Sequence, residues 1–425
     1  MMAKEEENIN GIDPSRIIVG LDIGSSKIGV FIGQREDGGK VRILGFGNPS
    51  LKKNDAKELE ATIQALKKAV GDAELSSGVD VKDVYVGIAG SNIRSVASKA
   101  TIPLREFGGV VTKTAMDKVV EQASLLVQRP VDMDVIHNLP GDYVLDGRQG
   151  IKNPQGMEGT SLSVEVQLVL AQKGIVRNIR KAVESAGLTV KGLVLEPLAD
   201  AYCVLENAER ELGIAIVDIG ETSTDVAVFM EDKVVYTISF DIAGDAITYD
   251  IARGLNTAMD RAEEIKKMYG SCRQSNVLDN VSFTVPGLGG RAGKDCSKKY
   301  LAKIVCSRMR YILQMVRDDL ENKGFLDKLG AGIVITGGTS LLDGTQEIAE
   351  EVFEKVPVRL GSPQKPNEGF SEIVCMPTHS TGVGLLYYAA QETQSPKRRE
   401  TRATKAVGTV GNVFKRVLNF LKSFI

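Results

Sequence analysis

Histidine is scarce in this chain and cysteine is thinly spread, and both facts remove classes of chemistry. The 425 residues hold two histidines, His137 and His379, and no HExxH or Cys/His cluster. An imidazole triad or a soft-metal centre therefore has no ligand set, and each histidine is read as structural. The five cysteines, Cys203, Cys272, Cys296, Cys306 and Cys375, are odd in number, scattered and without CxxC spacing. That pattern predicts buried thiols in a reducing compartment rather than a disulfide frame or a zinc site. No run of eighteen apolar residues occurs, so no segment is read as spanning a membrane. The opening residues MMAKEEENING are acidic and polar with no signal-peptide core, which predicts a chain that stays in the cytoplasm.

What is present is ordinary for a soluble α/β protein of two or more domains: 43% apolar residues, 25% charged and 44 glycines. The net charge of −2 hides an asymmetry, because eight Lys and Arg stand against two Glu from Gln391 onward. A basic tail on an acidic body predicts an anionic partner for the tail, membrane surface or nucleic acid.

Residues 1–15 read as a disordered lead, and RIIVGLDI (16–23) as a buried strand. Strands SKIGVFIGQ and VRILGFGN follow around a Gly-rich hairpin at 37–39, then a helix over 56–75 in which Gly71 is a stop or an interruption, then a strand over 81–90. From 91 to 172 the character changes to a helix (114–128), a Pro/Gly/Asp-rich loop (138–156) and a strand (162–172), which predicts a separate small α/β insertion. A helix over 174–186, a strand over 188–195 and a helix opening at Glu196-Pro197 resume the first pattern. Strands at 213–219 and 224–230, helical residues over 244–270, a loop with a short strand over 271–295, a long helix over 297–322, a strand over 330–338 and a helix from about Leu341 complete the second. One internal duplication is visible: strand, Gly turn, strand, then helices, twice.

The repeated turns, GLDIGSSKIGVFI (20–32) and VDIGETSTDVAVF (217–229), carry the chemistry. A nucleotide phosphate chain needs backbone N–H groups aimed at it with no side chain in the way. Glycine permits that approach and Ser/Thr hydroxyls add donors. Gly24, Ser25, Ser26 and Lys27 are placed to wrap one side of the phosphates, and Gly220, Thr222, Ser223 and Thr224 the other. Asp22 and Asp218 occupy equivalent strand ends, suited to orient Mg2+ through its waters, since that ion keeps most of its hydration. One such turn is more often a plain hairpin; two in matching contexts followed by VITGGTSLL are not.

The set GLDIGSSKIGVFI, LEPLADAYCVL, IVDIGETSTDVAVF and VITGGTSLLDG resembles the actin-like ATPase superfamily. The fold this implies is a duplicated α/β ATPase with two lobes around a nucleotide cleft. The resemblance implies ATP with Mg2+ as the ligand and assigns the adenosine turn to Gly337 and Gly338, with Thr339 and Ser340 beside them. RAEEIKKMYG (261–270) resembles the adenine-side helix, which would bring Glu263, Lys266 and Lys267 to the ribose or base; the other reading is a solvated helix face. Glu196 stands where chaperone relatives carry a water-orienting carboxylate; the other reading is a helix cap beside Pro197. ATP binding is expected, while turnover is left open, slow or absent, with Glu196 the one catalytic candidate. Within the superfamily the chain resembles the FtsA family of bacterial cell-division proteins, through the 91–172 insertion, AEEIKKMYG and the C-terminal segment. The resemblance covers about residues 16–390 plus the tail. It implies lobe 1 over 16–90 and 173–212 (subdomain 1A), subdomain 1C over 91–172, and lobe 2 over 213–390 (2A, with 2B at about 246–325).

Residues 391–409 read as a flexible basic linker, and 410–425 as an amphipathic helix. Val410, Val413, Phe414, Val417, Leu418, Leu421, Phe424 and Ile425 recur at helical spacing, with Lys415, Arg416, Asn419 and Lys422 opposite and Phe420 breaking the pattern. Such a helix lies in the headgroup plane of an anionic membrane; the rival reading docks it on the protein's own core. Nucleic acid is not expected, because no aromatic–basic interleaving accompanies the charges. Family resemblance further implies self-association into filaments, other division proteins as partners, and a dock for the C-terminal peptide of the tubulin-like FtsZ. The dock is expected on SKKYLAKIVCSRMRYILQMVRDDLENK, with Lys303, Arg308, Arg310 and Tyr311 named. The expected place of work is the inner face of the cytoplasmic membrane at the division site. Three rivals differ by one feature each. A small-molecule kinase of the same superfold needs a catalytic Asp facing an acceptor pocket, a chaperone ATPase needs a substrate-binding domain after 390, and a pilus-assembly-type relative lacks the terminal helix.

Overall fold

Two strand meanders grow from the two β-branched runs, and each is extended in the same way. In the first, β1 (Ile17–Ile23) is flanked antiparallel by β2 (Ile28–Arg35), and β2 in turn by β3 (Val41–Gly47). On its other side β1 pairs parallel with β4 (Asp83–Ile88), which pairs parallel with β9 (Thr189–Leu195), giving the order β3-β2-β1-β4-β9. The second sheet repeats this order with β12 (Lys233–Phe240), β11 (Thr224–Met230), β10 (Ile214–Ile219), β15 (Gly332–Thr336) and β16 (Val358–Leu360). β1 and β10 are central strands covered on both faces, which is why they read as near-continuous apolar runs. The computed structural model describes residues 12–50, 58–273, 281–287, 289, 291–364 and 371–394.

Helix α1 (Leu59–Ser77) joins β3 to β4 and runs through Gly71, ending at Gly78 in the left-handed region (φ 70°). The connection from β4 to β9 carries a four-stranded sheet of its own, β5 (Ile93–Pro103), β6 (Met133–Leu145), β7 (Arg148–Ile151) and β8 (Ser161–Gln172) in the order β5-β8-β6-β7. Helix α2 (Lys113–Leu126) packs on it through Ala115, Val119 and Ala123, against Ile102, Leu162, Val164 and Leu168. The stretch 138–156, expected as a loop, is instead the second half of β6 and the β7 hairpin. Pro140 and Gly141 are tolerated because the ladder shifts register between Pro140 and Tyr143, where no amide is needed from the proline.

After α3 (Lys173–Ser185), β9 leads into α4 (Glu196–Val204) and α5 (Asn207–Leu212). In the second half the corresponding connection holds α6 (Gly244–Leu255), α7 (Met259–Tyr269), the hairpin β13 (Ser282–Val285) and β14 (Lys294–Ser297), and α8 (Lys298–Asn322). The 244–270 helical stretch is broken by Asn256 at φ 51°. The helix expected from Leu341 begins later, as α9 (Thr345–Phe353), because a 3-10 turn over Gly338–Leu341 comes first. The described chain ends with α10 (Ser371–Val374) and α11 (Ser380–Gln394). α11 lies tightly on α4, since a Cβ at Gly384 would sit 2.1 Å from the Ala199 carbonyl oxygen. Among the described residues no helix is long and apolar enough to cross a membrane.

Candidate functional site

The equivalent strands β1 and β10 each deliver an aspartate as their penultimate residue, Asp22 and Asp218, and both are buried. The turns beyond them meet: Ser25 Oγ and Thr222 Oγ1 lie 3.3 Å apart across 197 residues of sequence. The Gly220 amide closes the second turn by donating to the Ser223 carbonyl at 3.0 Å. The turn after β15 joins them, with the Thr339 hydroxyl donating to the Gly220 carbonyl at 2.6 Å and Ser340 Oγ donating to the Gly337 carbonyl at 2.7 Å. Gly24, Ser25, Ser26, Lys27, Gly220, Thr222, Ser223 and Gly337 to Ser340 thus surround one place.

The two glycines of the third turn differ. Gly337 has φ 88°, and a Cβ there would lie 2.0 Å from Asp218 Oδ1, so the fold itself demands glycine. Gly338 has ordinary backbone angles, and its Cβ would meet only Thr378 Cγ2 at 3.6 Å. An open cavity of about 520 Å3 borders this turn, lined by Ser340, Leu341, Asp343, Arg273 and Glu347 among others.

Beneath the turns the site is crowded with acids. Burial, then Asp225 and Asp22, push Asp218 up to about 7. Burial, then Asp22, Asp225, Asp218 and Asp200, hold the Glu196 carboxyl well above the usual range. Leu195 is the N-cap of α4, and Glu196 is the acidic residue of its first turn, beside Pro197. The Glu196 carboxyl abuts β4, with Oε1 3.3 Å from where a Cβ on Gly87 would be. Asp200 and Asp218 hydrogen-bond side chain to side chain, an arrangement that requires a proton on one of the two carboxyls. Asp225 accepts from the Gly90 amide at 3.1 Å and from Ser223 Oγ at 2.6 Å. Among the described residues no three His, Cys, Asp or Glu groups gather closely enough to hold an ion directly.

The lysines divide. The Lys27 ammonium, part-buried, donates to the Thr378 carbonyl and lies 3.5 Å from His379 Nδ1. On α7, Lys266 is buried and donates to the Gly244 carbonyl at 2.9 Å and Thr248 Oγ1 at 2.8 Å, while pairing with Glu263 at 2.7 Å. Lys266 therefore braces the loop whose Gly244 amide donates to the Gly220 carbonyl. Lys267 pairs with Glu263 at 3.3 Å and its side chain is 71% exposed.

On α8, Arg308 clamps Asp250 at 2.6 and 3.1 Å and lies over the half-exposed Tyr311 ring, while Arg310 pairs with Glu351 of α9. Lys303 borders a small cavity with Ser297, Lys299 and Tyr300. Lys303 and Tyr311 share a helix face, two turns apart. The tail residues Val413, Phe414, Lys415, Arg416, Val417, Leu418, Leu421, Lys422 and Phe424 lie outside the described residues.

Sequence reasoning missed Asp200, Asp225 and the Thr378–His379 turn. An aspartate inside the otherwise apolar LEPLADAYCVL was the available signal for the first; nothing local pointed to the last.

The fold and its three convergent turns define the class, proteins of the actin-like ATPase fold. Among solved structures the chain resembles the PilM–PilN type IV pilus biogenesis complex at a TM-score of 0.61 and 19% identity, covering 88% of this chain and 98% of that one. It also resembles MreB5 of Spiroplasma citri bound to ADP at a TM-score of 0.52 and 14% identity, covering 90% and 98%. A family model described as Cell division protein FtsA matches residues 215–384, and one described as SHS2 domain inserted in FTSA matches 90–170. The chain is 38% identical over 384 residues to Cell division protein FtsA of Pseudomonas aeruginosa, 90% of this chain and 91% of that protein. To the Neisseria meningitidis protein of the same name it is 35% identical, covering 96% and 98%. The chain belongs to the FtsA family of cell-division proteins.

Proposed function

We propose that this chain binds ATP with Mg2+ where the three turns meet, polymerises on the inner face of the cytoplasmic membrane, and tethers the tubulin-like FtsZ there during division. The observation that carries the nucleotide reading is the contact of the two hydroxyl-rich turns, Ser25 to Thr222 at 3.3 Å, above the buried Asp22 and Asp218. Glycine-containing, hydroxyl-rich turns closing on one point from two sheets are the arrangement a phosphate chain needs. Two buried carboxylates at matching strand ends, Asp22 and Asp218, are the donor set for an ion held through its waters, since Mg2+ keeps most of its hydration. Asp22 and Asp218 would hold it, and it would screen the charge of the phosphates. Lys27 faces the phosphate end, and the cavity beside Ser340 and Leu341 has room at the nucleoside end.

The likeness to an ADP-bound MreB structure supports a nucleotide in this fold. Glu196, raised in pKa and crowded by Asp22 and Asp218, is suited to hold a proton rather than to take one, which supports slow turnover or none. For FtsZ we propose the α8 face carrying Lys303 and Tyr311, with Arg308 as the wall under Tyr311. Arg310, occupied by Glu351, contributes less. The tail supplies the membrane contact.

Gly338→Arg tests the cleft. It is a cleaner change than Gly337→Arg, which would strike Asp218 and the β10 backbone and so disturb the fold itself. Titration with a fluorescent ATP analogue should show binding weakened at least a hundredfold, with the melting temperature kept; unchanged affinity would remove the cleft assignment.

A further inference from the structure

Lys27 is held from a part of the chain that the phosphate turns do not include. It sits in the first turn, yet its ammonium donates to the carbonyl of Thr378, 351 residues later, and lies 3.5 Å from His379 Nδ1. Thr378 and His379 close the short 3-10 turn Pro377–His379 that opens α11. His379 is 5% exposed, with the rings of Phe31 and Phe46 edge-on at 5.5 and 6.0 Å. Those rings fix the imidazole plane and exclude water from that side.

An ammonium has three N–H donors and no acceptor. The Thr378 carbonyl takes one. A second is aimed at His379 Nδ1, which must then carry the lone pair, leaving the ring proton on Nε2. Among the described residues no carboxylate comes within ion-pair distance of Lys27, although Asp22 and Asp218 both attract it. One donor is therefore left in a part-buried place between two acidic strand ends and two phosphate-shaped turns. An anionic oxygen is the group that completes it.

We propose that His379 is a positioning residue for nucleotide binding, its Nδ1 and the Thr378 carbonyl together aiming the Lys27 ammonium at a phosphate oxygen of the bound nucleotide. This rests on the cleft reading above, and it assigns to a lone histidine the work of orienting the one lysine in the turns. A lysine stem has four rotatable bonds, and two fixed acceptors remove most of that freedom before the ligand arrives.

The test is a double-variant cycle on the full chain, read with a fluorescent ATP analogue and a melting curve. His379→Leu keeps the bulk against Phe31 and Phe46 but removes the acceptor, and should weaken binding about tenfold. His379→Asn, whose Oδ1 can take the place of Nδ1, should restore affinity to within about threefold of the parent. Lys27→Met should weaken binding by itself, and adding His379→Leu to it should change nothing further, because the two act through one contact. Equal weakening by His379→Leu with and without Lys27 would overturn the proposal and make the histidine a packing residue. Failure of His379→Asn to rescue, at an unchanged melting temperature, would overturn it as well. If His379→Leu fails to fold, the Asn variant alone and with Lys27→Met decides by the same criteria. Unchanged affinity in Lys27→Met, while Gly338→Arg still abolishes binding, sinks the proposal and leaves the cleft standing. Unchanged affinity in both sinks the cleft reading with it.

Discussion

Asp200 is the residue whose burial is hardest to explain by packing. It is fully buried in α4, its Oδ1 accepts from Thr381 Oγ1 at 3.0 Å, and its side chain hydrogen-bonds that of Asp218. Burial first, and the neighbouring Asp218 second, raise its pKa well above the usual carboxylate range. The folded chain therefore keeps a proton that the unfolded chain releases above the ordinary value of 3.8. Stability from that proton is whole below the ordinary value and is lost as pH rises toward the folded one. Asp200→Asn imitates the neutral acid at every pH. Its melting temperature should match the parent's near pH 4 and exceed it by a few degrees at pH 8. Melting curves across that range check it, and a constant difference would mean Asp200 is ionised in the fold. The paired Asp22 and Asp218 were legible in sequence because a DxG turn twice in matching contexts is a local pattern. Asp200 and His379 were not legible, because what they face arrives from strands and helices far along the chain.

At the scale of elements, the 90–172 segment is tied to the rest at both ends and along one side. Ile93 pairs with Ala171, so its two ends leave the first sheet together. Its β6 passes near β9, where the Leu195 amide donates to His137 Nε2 at 3.0 Å, and Asp142 pairs with Lys233 at the start of β12. Val169 sits in a core shared by both five-stranded sheets, and Ala171 in that of the first sheet, rather than in the segment's own. Excising 91–172 and joining Gly90 to Lys173 with a short Gly-Ser link should leave a folded chain that binds the ATP analogue. It should melt several degrees lower, for the loss of those contacts, and it should no longer pellet as polymer if the segment carries subunit contacts. Loss of folding and binding together would place the segment in the core. The helices and central strands were legible from period and from β-branched runs. β6 was hidden because Pro140 and Gly141 imitate a loop, and only pairing with β8, around which β6 bulges by one residue, makes it a strand.

For the whole molecule, the proposed hold on a membrane rests on the sequence of residues 410–425, since 395–425 lies outside the described residues. A helix of the sixteen residues 410–425 would be about 24 Å long, too short and too interrupted by charge to span. Lys415, Arg416 and Lys422 contribute on the order of 1 kcal/mol each at an anionic surface. That total of about 3 kcal/mol is marginal for one anchor, and becomes firm when a polymer presents many at once. Phe414 and Leu418 stand at i and i+4 in the middle of the apolar stripe. Burying a side chain of that size is worth about 1.5–3 kcal/mol. Phe414→Glu forfeits this and adds the cost of a carboxylate near acyl chains, more than the basic face can offset. A single anchor should detach from anionic liposomes in co-sedimentation, while the melting temperature stays where it was, because on this reading the tail contributes nothing to the core. A several-degree fall in the melt with lipid binding retained would put the helix on the protein instead and end the membrane reading.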